Sequence, residues 1–473
     1  MIRMIQVLGT SSDSGKSTLS MALCYYYARN GYKVAPFKAI NMSLNSISIG
    51  DGSEIARAQW LQAKACGTEP SKYMNPYLIK PEGMGRSQLI KLGTSLGSMN
   101  VEDYYSEIKK NGRKLIKKSL EFLAKDHDII IAEGAGSAAE INMYGRDLAN
   151  TFVSSIFNTP AVLISDIDRG GVFASLYGTV KLMPHSELVK YMIINRMRGN
   201  STMLSSGITK LEKLTGKKVA GIIPYSSINL PGEDSLNYLS EKINNGKICI
   251  IKYPYMENYS DFDPLYIHGI GFKFIDKNNV NDLDQCDIII LPGSKLVEKD
   301  LEYIYEHGIA KKLLKFAHSK RIIGICGGYQ MLGNRIRDAA GVESSGVELH
   351  GLGLLNVDTE YSNEKHREEV IYRLNSKIFG DNNVSKGYEI HYGNMVNNME
   401  TPLAFKGDIA EGSINGKIMG TNIHAILENE NFLSNIAGID VGSYEEKLMN
   451  NIEKTSRLFT GNINMELINR LIQ

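Results

Sequence analysis

The chain reads as two α/β domains in succession, the first built on a doubly wound parallel sheet. Three observations predict this. Short apolar runs at residues 5–8, 34–37, 129–131, 161–164, 192–194 and 220–223 do not alternate with polar positions, as strands covered on both faces of a parallel sheet require. Helix-length segments separate them. A second set of such runs, at 248–251, 288–291 and 322–325, follows a polar, Asn-rich stretch at 237–246 that is the candidate linker.

At 473 residues the chain exceeds one ordinary core, since domains run to about 150 residues. We divide it into 1–236, 247–435 and a helical tail at 436–473, whose Met465, Leu467, Ile468 and Leu471 are expected to pack on the second domain. Hydrophobic residues make up 43% and charged residues 22%, the balance of a globular protein and not of a disordered one. The net charge of +1 gives no global field for nucleic acid or an anionic membrane, so neither is an expected partner and any anion site must be local. With few apolar residues before the first glycine turn and no long apolar run elsewhere, a cytoplasmic location is expected. The five cysteines are odd in number and scattered, with no CxxC pair, so neither a disulfide nor a zinc site is expected. Cys24, Cys66, Cys249 and Cys286 read as small buried hydrophobes.

The first apolar run ends in Gly9-Thr10-Ser11-Ser12-Asp13-Ser14-Gly15-Lys16-Ser17-Thr18 and then in a helical pattern, with Leu19, Ala22, Leu23 and Tyr26 on one face and Gly31 as a stop. Strand, glycine-rich turn and helix N-terminus together make an anion site, because converging backbone N–H groups and the helix dipole both favour phosphate. Lys16 would reach the outer phosphates and Ser17 a magnesium ion, so the expected ligand is a nucleoside triphosphate. Five residues separate Gly9 from Gly15-Lys16 where the common pattern has four, which makes this a variant loop.

Polar clusters follow the next strand ends, where a doubly wound sheet places its ligands. Lys38, Asn41 and Ser43 follow the second run; Glu133-Gly134-Ala135-Gly136 follows the third; Asp166, Asp168, Arg169, Gly170 and Gly171 follow the fourth; Asn195 follows the fifth. Glu133 reads as a magnesium ligand or a helix-capping carboxylate, the flanking glycines favouring the former by admitting a phosphate. Asn195 reads as a contact to a nucleotide base. The excursion between residues 51 and 86, with Arg57, Lys64, Lys80 and Arg86, is too polar and too interrupted by Pro70, Pro76 and Pro81 to be core. It reads equally as a substrate lid carrying cations or as a solvated insertion.

In the second domain the run at 322–325 ends in Cys326-Gly327-Gly328-Tyr329-Gln330, a strand, a sharp glycine-flanked turn and a helix, the pattern of a nucleophile elbow. A helix N-terminus facing the thiol favours thiolate. His424 ends another apolar stretch and can serve as the base; His391, in Gly387-Tyr388-Glu389-Ile390-His391, competes for that role, and Glu389 shares its strand face. The turn Leu291-Pro292-Gly293-Ser294 can donate backbone N–H groups to an oxyanion. Gly293 and Ser294, with Gly327 and Gln330, are the candidate oxyanion residues and, by this stretch's resemblance to glutamine amidotransferases, the glutamine-binding ones.

These residues resemble the glutamine-hydrolysing adenosylcobyric acid synthases over nearly the whole chain. The first domain is similar to the dethiobiotin-synthetase group of P-loop ligases, which share the longer loop. Pro36-Phe37-Lys38-Ala39 with Asn41-Met42-Ser43-Leu44-Asn45-Ser46, Glu133-Gly134-Ala135-Gly136-Ser137 with Ala139-Glu140-Ile141-Asn142, and residues 166–173 look like that family's signatures. The second domain resembles a cysteine-type glutamine amidotransferase. The resemblance implies Cys326 as nucleophile and His424 as base, with ATP and magnesium, no redox cofactor, glutamine, and a corrinoid as substrate. It implies amidation of the b, d, e and g carboxylates of adenosylcobyrinic acid a,c-diamide through an acyl phosphate. Lys38, Asn41, Ser43, Arg57, Lys80, Asp168 and Arg169 are the candidate substrate contacts. Many relatives of this amidotransferase type place a glutamate two residues after the histidine; here that position is Ile426, which leaves the orienter of His424 open, as it leaves the oligomeric state open. Two rival readings are the sister enzyme that amidates the a and c side chains, and a P-loop switch ATPase whose second domain only binds.

Overall fold

The computed structural model describes residues 3–83, 85–232, 246–339, 341–342, 346, 348–381 and 383–473. The stretch expected as a linker lies outside the described residues apart from Gly246. The chain divides into two compact units, Met1–Ile228 with Met449–Gln473, and Asn229–Leu448.

The first unit is organised by a six-stranded sheet in the order Lys218–Pro224, Val189–Met197, Ala161–Asp166, Met4–Gly9, Ile129–Glu133, Val34–Phe37, with every pairing parallel. Its apolar runs are unbroken because both faces are covered: Ile5, Val7, Ile131, Val162 and Ile164 pack into one cluster, while Leu8, Leu163 and Ile194 pack into another. Met4–Gly9 lies between strands that follow it in the chain on either side, so the connections diverge at its carboxyl end and open a crevice there. The helix Lys16–Arg29 starts directly after the glycine turn.

A second, four-stranded sheet follows the order Ile40–Met42, Tyr77–Gly83, Arg86–Lys91, Thr94–Asn100 and leads into the helix Val101–Leu123. That helix buries Tyr104, Ile108, Ile116, Leu120 and Leu123, one stripe at helical spacing. The expectation that the excursion between residues 51 and 86 lies outside the core is corrected here. Ala63, Met74, Tyr77 and Ile79 belong to a buried cluster with Phe37 and Ile130. Polar residues that made the stretch look solvated find partners inside it: Gln59 Oε1 accepts from Asn41 Nδ2 at 2.8 Å, and Asn75 Nδ2 donates to the carbonyls of Lys38 and Tyr77 at 3.1 and 2.8 Å.

The second unit carries a six-stranded sheet in the order Phe272–Ile275, Ile248–Ile251, Ile288–Leu291, Arg321–Ile325, Ile418–Thr421, Ser413–Asn415, parallel except for the last strand. Beside it, the long antiparallel pair Asp358–Leu374 and Val384–Val396 brings Glu389 and His391 to the same buried strand face.

Two further expectations are corrected. The tail from Met449 belongs to the first unit, not the second. Phe459, Ile463, Ile468 and Ile472 join the cluster of Ile5 and Leu19, Ser456 Oγ donates to the Ala22 carbonyl at 2.8 Å, and Tyr27 Oη donates to Asn469 Oδ1 at 3.1 Å. Composition shows that a helix has an apolar stripe; it does not show which sheet waits to cover it. Cys249 and Cys286, expected as separate hydrophobes, form a disulfide across 37 residues, because the strand Ile248–Ile251 and the turn Val280–Gln285 bring their Cα atoms to 5.9 Å.

Candidate functional site

Functional side chains gather at one place in each unit. In the first, the turn after Met4–Gly9 needs glycine for two reasons. Gly15 has φ +102°, and a Cβ there would strike the Asn195 amide; a Cβ on Gly9 would stand 2.8 Å from the Lys16 side chain. Lys16 Nζ donates to the carbonyls of Ser11 and Gly136 at 2.8 and 3.0 Å, which holds the ammonium across the mouth of the loop. Ser17 Oγ donates to Glu133 Oε1 at 2.8 Å, and Lys38 Nζ stands 2.8 Å from the same oxygen. Gln62 Nε2 donates to Glu133 Oε2 at 2.6 Å. One fully buried carboxylate therefore joins the loop, the strand end carrying Lys38, and the helix Arg57–Ala65. Thr10 Oγ1 and Ser165 Oγ are 2.8 Å apart, Thr18 lies partly buried in the first turn of the helix, and Asp13, at φ +56°, stands 3.7 Å from Arg169.

Asn195 does not reach outward as a base-reading amide would. Its Nδ2 donates to the Ser14 carbonyl at 3.0 Å and its Oδ1 accepts from Arg196 N–H at 2.9 Å, so it braces the loop from beneath. Of the residues expected at a substrate, Lys38 meets the Glu133 cluster. Others are engaged elsewhere: Lys80 with Glu54 and Ser46 at 2.9 and 3.0 Å, Asn41 with Gln59, and Arg57 buried with its guanidinium 4.9 Å over the Trp60 ring. Ser43 Oγ accepts from Asn45 N–H at 3.0 Å, Asp168 pairs with Arg198 at 2.6 Å, and Arg169 is exposed.

In the second unit Cys326 caps the helix Gly327–Leu332 at φ +50°, ψ −111°, a conformation L side chains rarely adopt and the mark of a strained elbow. The elbow is pressed against the turn after Ile288–Leu291. A Cβ on Gly327 would stand 2.7 Å from the Ser294 nitrogen, and one on Gly328 would strike the Leu291 carbonyl. This close approach puts the backbone nitrogen of Ser294 against the start of the helix that Cys326 caps. Ser294 Oγ donates to buried Asp300 Oδ2 at 2.6 Å, and Glu257 N–H donates to the Gly293 carbonyl at 2.9 Å, so the turn is fixed from two sides. Burial raises the Asp300 pKa to about 6 against the hydrogen bonds from Ser294 and Tyr255 that lower it. Gln330, also buried, accepts from Tyr361 Oη at 2.8 Å.

Of the two candidate bases, His424 is the one hydrogen-bonded to a buried carboxylate. Its Nδ1 lies 2.8 Å from Asp261 Oδ2. The other oxygen of Asp261 accepts from Ala425 N–H at 2.8 Å, which locks the carboxylate to the loop bearing the histidine. Tyr388 stacks on the imidazole with ring centroids 5.0 Å apart, and Asn258 Nδ2 stands 3.2 Å from Nε2. Burial acts to lower the His424 pKa, but the carboxylate of Asp261 and the sulfur of Cys326 outweigh it and raise it to about 10. Thiol, imidazole and carboxylate in this order are the parts of a nucleophilic triad.

The comparisons agree with this division. Residues 5–236 match the CobQ/CobB/MinD/ParA nucleotide binding domain, and residues 247–432 match the CobB/CobQ-like glutamine amidotransferase domain. A protein of Picrophilus torridus called a probable cobyric acid synthase is 56% identical over 98% of both chains. The chain belongs to the cobyric acid synthase family. A probable cobyric acid synthase of Thermoplasma acidophilum is 48% identical over 98% of both chains, and a cobyric acid synthase of Caldanaerobacter subterraneus subsp. tengcongensis is 35% identical over 99% of this chain and 98% of that one. As a member of this family the protein is an enzyme, a glutamine-hydrolysing ligase.

Within the cobyric acid synthase fold, Asp261 and Gln62 are the residues that sequence reasoning missed. Asp261 sits in the short turn Tyr259–Phe262, 163 residues before its histidine and outside any motif. The position usually searched, two residues after the histidine, holds Ile426, fully buried in the hydrophobic core. Gln62 lies on the polar stretch read as an insertion, where no local signal separates it from a solvated amide. Among the described residues no helix is long and apolar enough to cross a membrane.

Proposed function

We propose that the protein amidates the b, d, e and g carboxylates of adenosylcobyrinic acid a,c-diamide, using ATP and glutamine in the cytoplasm. The observations that carry this reading are the Cys326–His424–Asp261 constellation in one unit and, in the other, a phosphate loop whose Lys16 spans its mouth while Ser17, together with Lys38, meets the buried carboxylate of Glu133. The relatives' names favour this substrate over the sister reaction on the a and c side chains, and the intact triad disfavours a second domain that merely binds.

In the second unit the Cys326 thiolate attacks the side-chain amide carbon of glutamine. The carbonyl oxygen takes up negative charge toward the N–H groups of Ser294 and Gly327. His424, held by Asp261, gives its proton to the departing nitrogen, and ammonia leaves as a thioester forms. Water, deprotonated by the same imidazole, then attacks the thioester carbon and expels the Cys326 thiolate, releasing glutamate and restoring the thiolate and the protonated imidazole.

In the first unit a carboxylate of the corrinoid accepts the γ-phosphoryl group of ATP. A carboxylate is a poor acceptor for ammonia at neutral pH, whereas an acyl phosphate carries a leaving group; ammonia displaces phosphate and the amide remains. Lys16 and Lys38 supply positive charge where the transferring phosphoryl group develops negative charge. Ser17 and Glu133 are the residues that would hold magnesium. A hydroxyl and a carboxylate already within 2.8 Å of each other are the hard oxygen donors it prefers, and the ion would neutralise phosphate charge when bound.

The test is a product ladder. Incubating the a,c-diamide with ATP, magnesium and glutamine should yield four successive products, each one hydroxyl-for-amine exchange lighter by mass spectrometry. Consumption of cobyrinic acid with no reaction of its a,c-diamide would overturn the substrate assignment.

A further inference from the structure

Glu389 and His391 share a strand face, and the amidation chemistry uses neither. His391 is 7% exposed, yet neither ring nitrogen has a hydrogen-bond partner among the described residues. A buried imidazole without partners is costly unless a ligand completes it. In the antiparallel pair Asp358–Leu374 and Val384–Val396, His366 lies opposite His391 and Glu368 opposite Glu389, so strand alternation sends all four side chains to one face. His366 Nε2 stands 3.2 Å from Glu389 Oε2, and His391 Nε2 stands 3.8 Å from the same oxygen. One donor atom from each of His366, Glu389 and His391 lies within 4.8 Å of the other two. An ion bound tetrahedrally by imidazole and carboxylate keeps its donors about 3.4 Å apart, so these three already stand near the spacing an ion would set.

We propose that His366, Glu389 and His391 form a zinc site. Two imidazoles and one carboxylate are donors that zinc accepts, whereas magnesium and calcium prefer oxygen alone. Lys406 Nζ donates to Glu389 Oε1 and Oε2 at 2.9 and 2.8 Å. A carboxylate has about four lone-pair sites, so Oε2 can keep that hydrogen bond and turn another lone pair to the ion, with the ammonium fixing its orientation from behind. Glu368 Oε2, 3.4 Å from His366 Nε2, steadies the remaining ring. Glu389 and His391 are buried while His366 reaches solvent, which gives the ion a way in. His391 also belongs to the wall of the cavity over Cys326. Resting on the reading of Cys326 as a glutaminase nucleophile, zinc bound there slows the use of glutamine and spares synthesis from free ammonia.

The test titrates the full-length, metal-stripped protein with zinc chloride in a calorimeter. The wild type should bind one ion with a Kd of about 1 μM, weaker than a structural site with four protein ligands. His366→Gln and His391→Gln should each weaken binding about tenfold or more, while Cys326→Ala should stay within about threefold because the thiol is no donor. Cobalt(II) in place of zinc should give weak visible bands without a sulfur-to-metal charge-transfer band, a reading on the wild type that needs no variant to fold. At matched free zinc, about ten times the Kd, glutamine-dependent synthesis should fall about fivefold or more and ammonia-dependent synthesis by less than about twofold. A Kd above about 100 μM, full affinity in both histidine variants, a charge-transfer band that Cys326→Ala removes, or equal inhibition with both nitrogen sources would overturn the proposal. A wild type that makes product from ammonia but never from glutamine would instead remove the reading of Cys326, and the calorimetry would still decide whether the zinc site exists.

Discussion

The phosphate loop and the thiol site are built in opposite ways. The first has a contiguous heart: one strand, one glycine turn and one helix supply the loop, and Glu133, Lys38 and Gln62 are added around it. The second is assembled from distant pieces, with Asp261, Ser294, Cys326 and His424 each leaving a different strand end or turn. A contiguous site can be recognised from spacing alone, because backbone geometry fixes where its atoms go. A dispersed one depends on topology, and only the sheet order shows which loops converge.

The sharpest way to break the comparison is to remove the nucleophile. Cys326→Ala should lower glutamine-dependent amidation by roughly a thousandfold or more, while free ammonium salts still support synthesis. Product formation with each nitrogen source decides it, and loss of both activities in a folded protein would show that the two sites are not separable. The converse substitution sharpens the contrast. Lys16→Met should reduce synthesis by about a hundredfold or more with either nitrogen source, because it removes charge stabilisation from the activation step that both share. A Lys16→Met protein that kept full activity with ammonia would place activation elsewhere.

A smaller effect is expected at Asp261, which touches no substrate and acts through the imidazole. Asp261→Asn should cost about a hundredfold in kcat for ammonia release, with KM for glutamine changed little. It should also change the pH response of stability. The folded pKa of His424, about 10, lies above its ordinary value near 6.5, so its charged form favours the folded state. That contribution is complete below about pH 6.5 and is lost as pH rises through about 10. The wild type should therefore unfold later than Asp261→Asn at pH 6, with the two melting temperatures converging toward pH 10. A constant gap across that range would mean that Asp261 supports the fold without supporting the charge of His424.

How much of this was legible in the residues follows the same contrast. The runs around Ile131, Leu163 and Ile323 identify buried parallel strands because no polar position interrupts them, and Gly15-Lys16-Ser17 and Cys326-Gly327-Gly328 sit where strand ends and turns require. His424 was separable from His391 only through the fold, which sets its Nδ1 against Asp261. The helix Arg57–Ala65 was hidden for a physical reason: Gln59 and Gln62 are polar, and polarity marks solvent unless a partner is known, which Asn41 and Glu133 turn out to be. The disulfide of Cys249 and Cys286 was likewise invisible to spacing, since only the approach of a strand and a turn brings the sulfurs together.

The tail gives the mildest test of the comparison, on stability and not on rate. Ile468 is 1% exposed in the cluster that backs the phosphate-loop strand, with Ile5, Val7 and Leu19 among its members. Truncating a buried isoleucine to alanine costs about 2–5 kcal/mol through lost transfer energy and the cavity left behind. The loss from Ile468→Ala should be local to the unit that the side chain fills. Hydrogen exchange should therefore accelerate at the amides of Met4–Gly9 and Ile129–Glu133, with those of Ile288–Leu291 and Arg321–Ile325 unchanged. Acceleration in the second set alone would return the tail to the amidotransferase unit. It would also undo the division in which the last residues of the chain complete the nucleotide-binding core that the first residues begin.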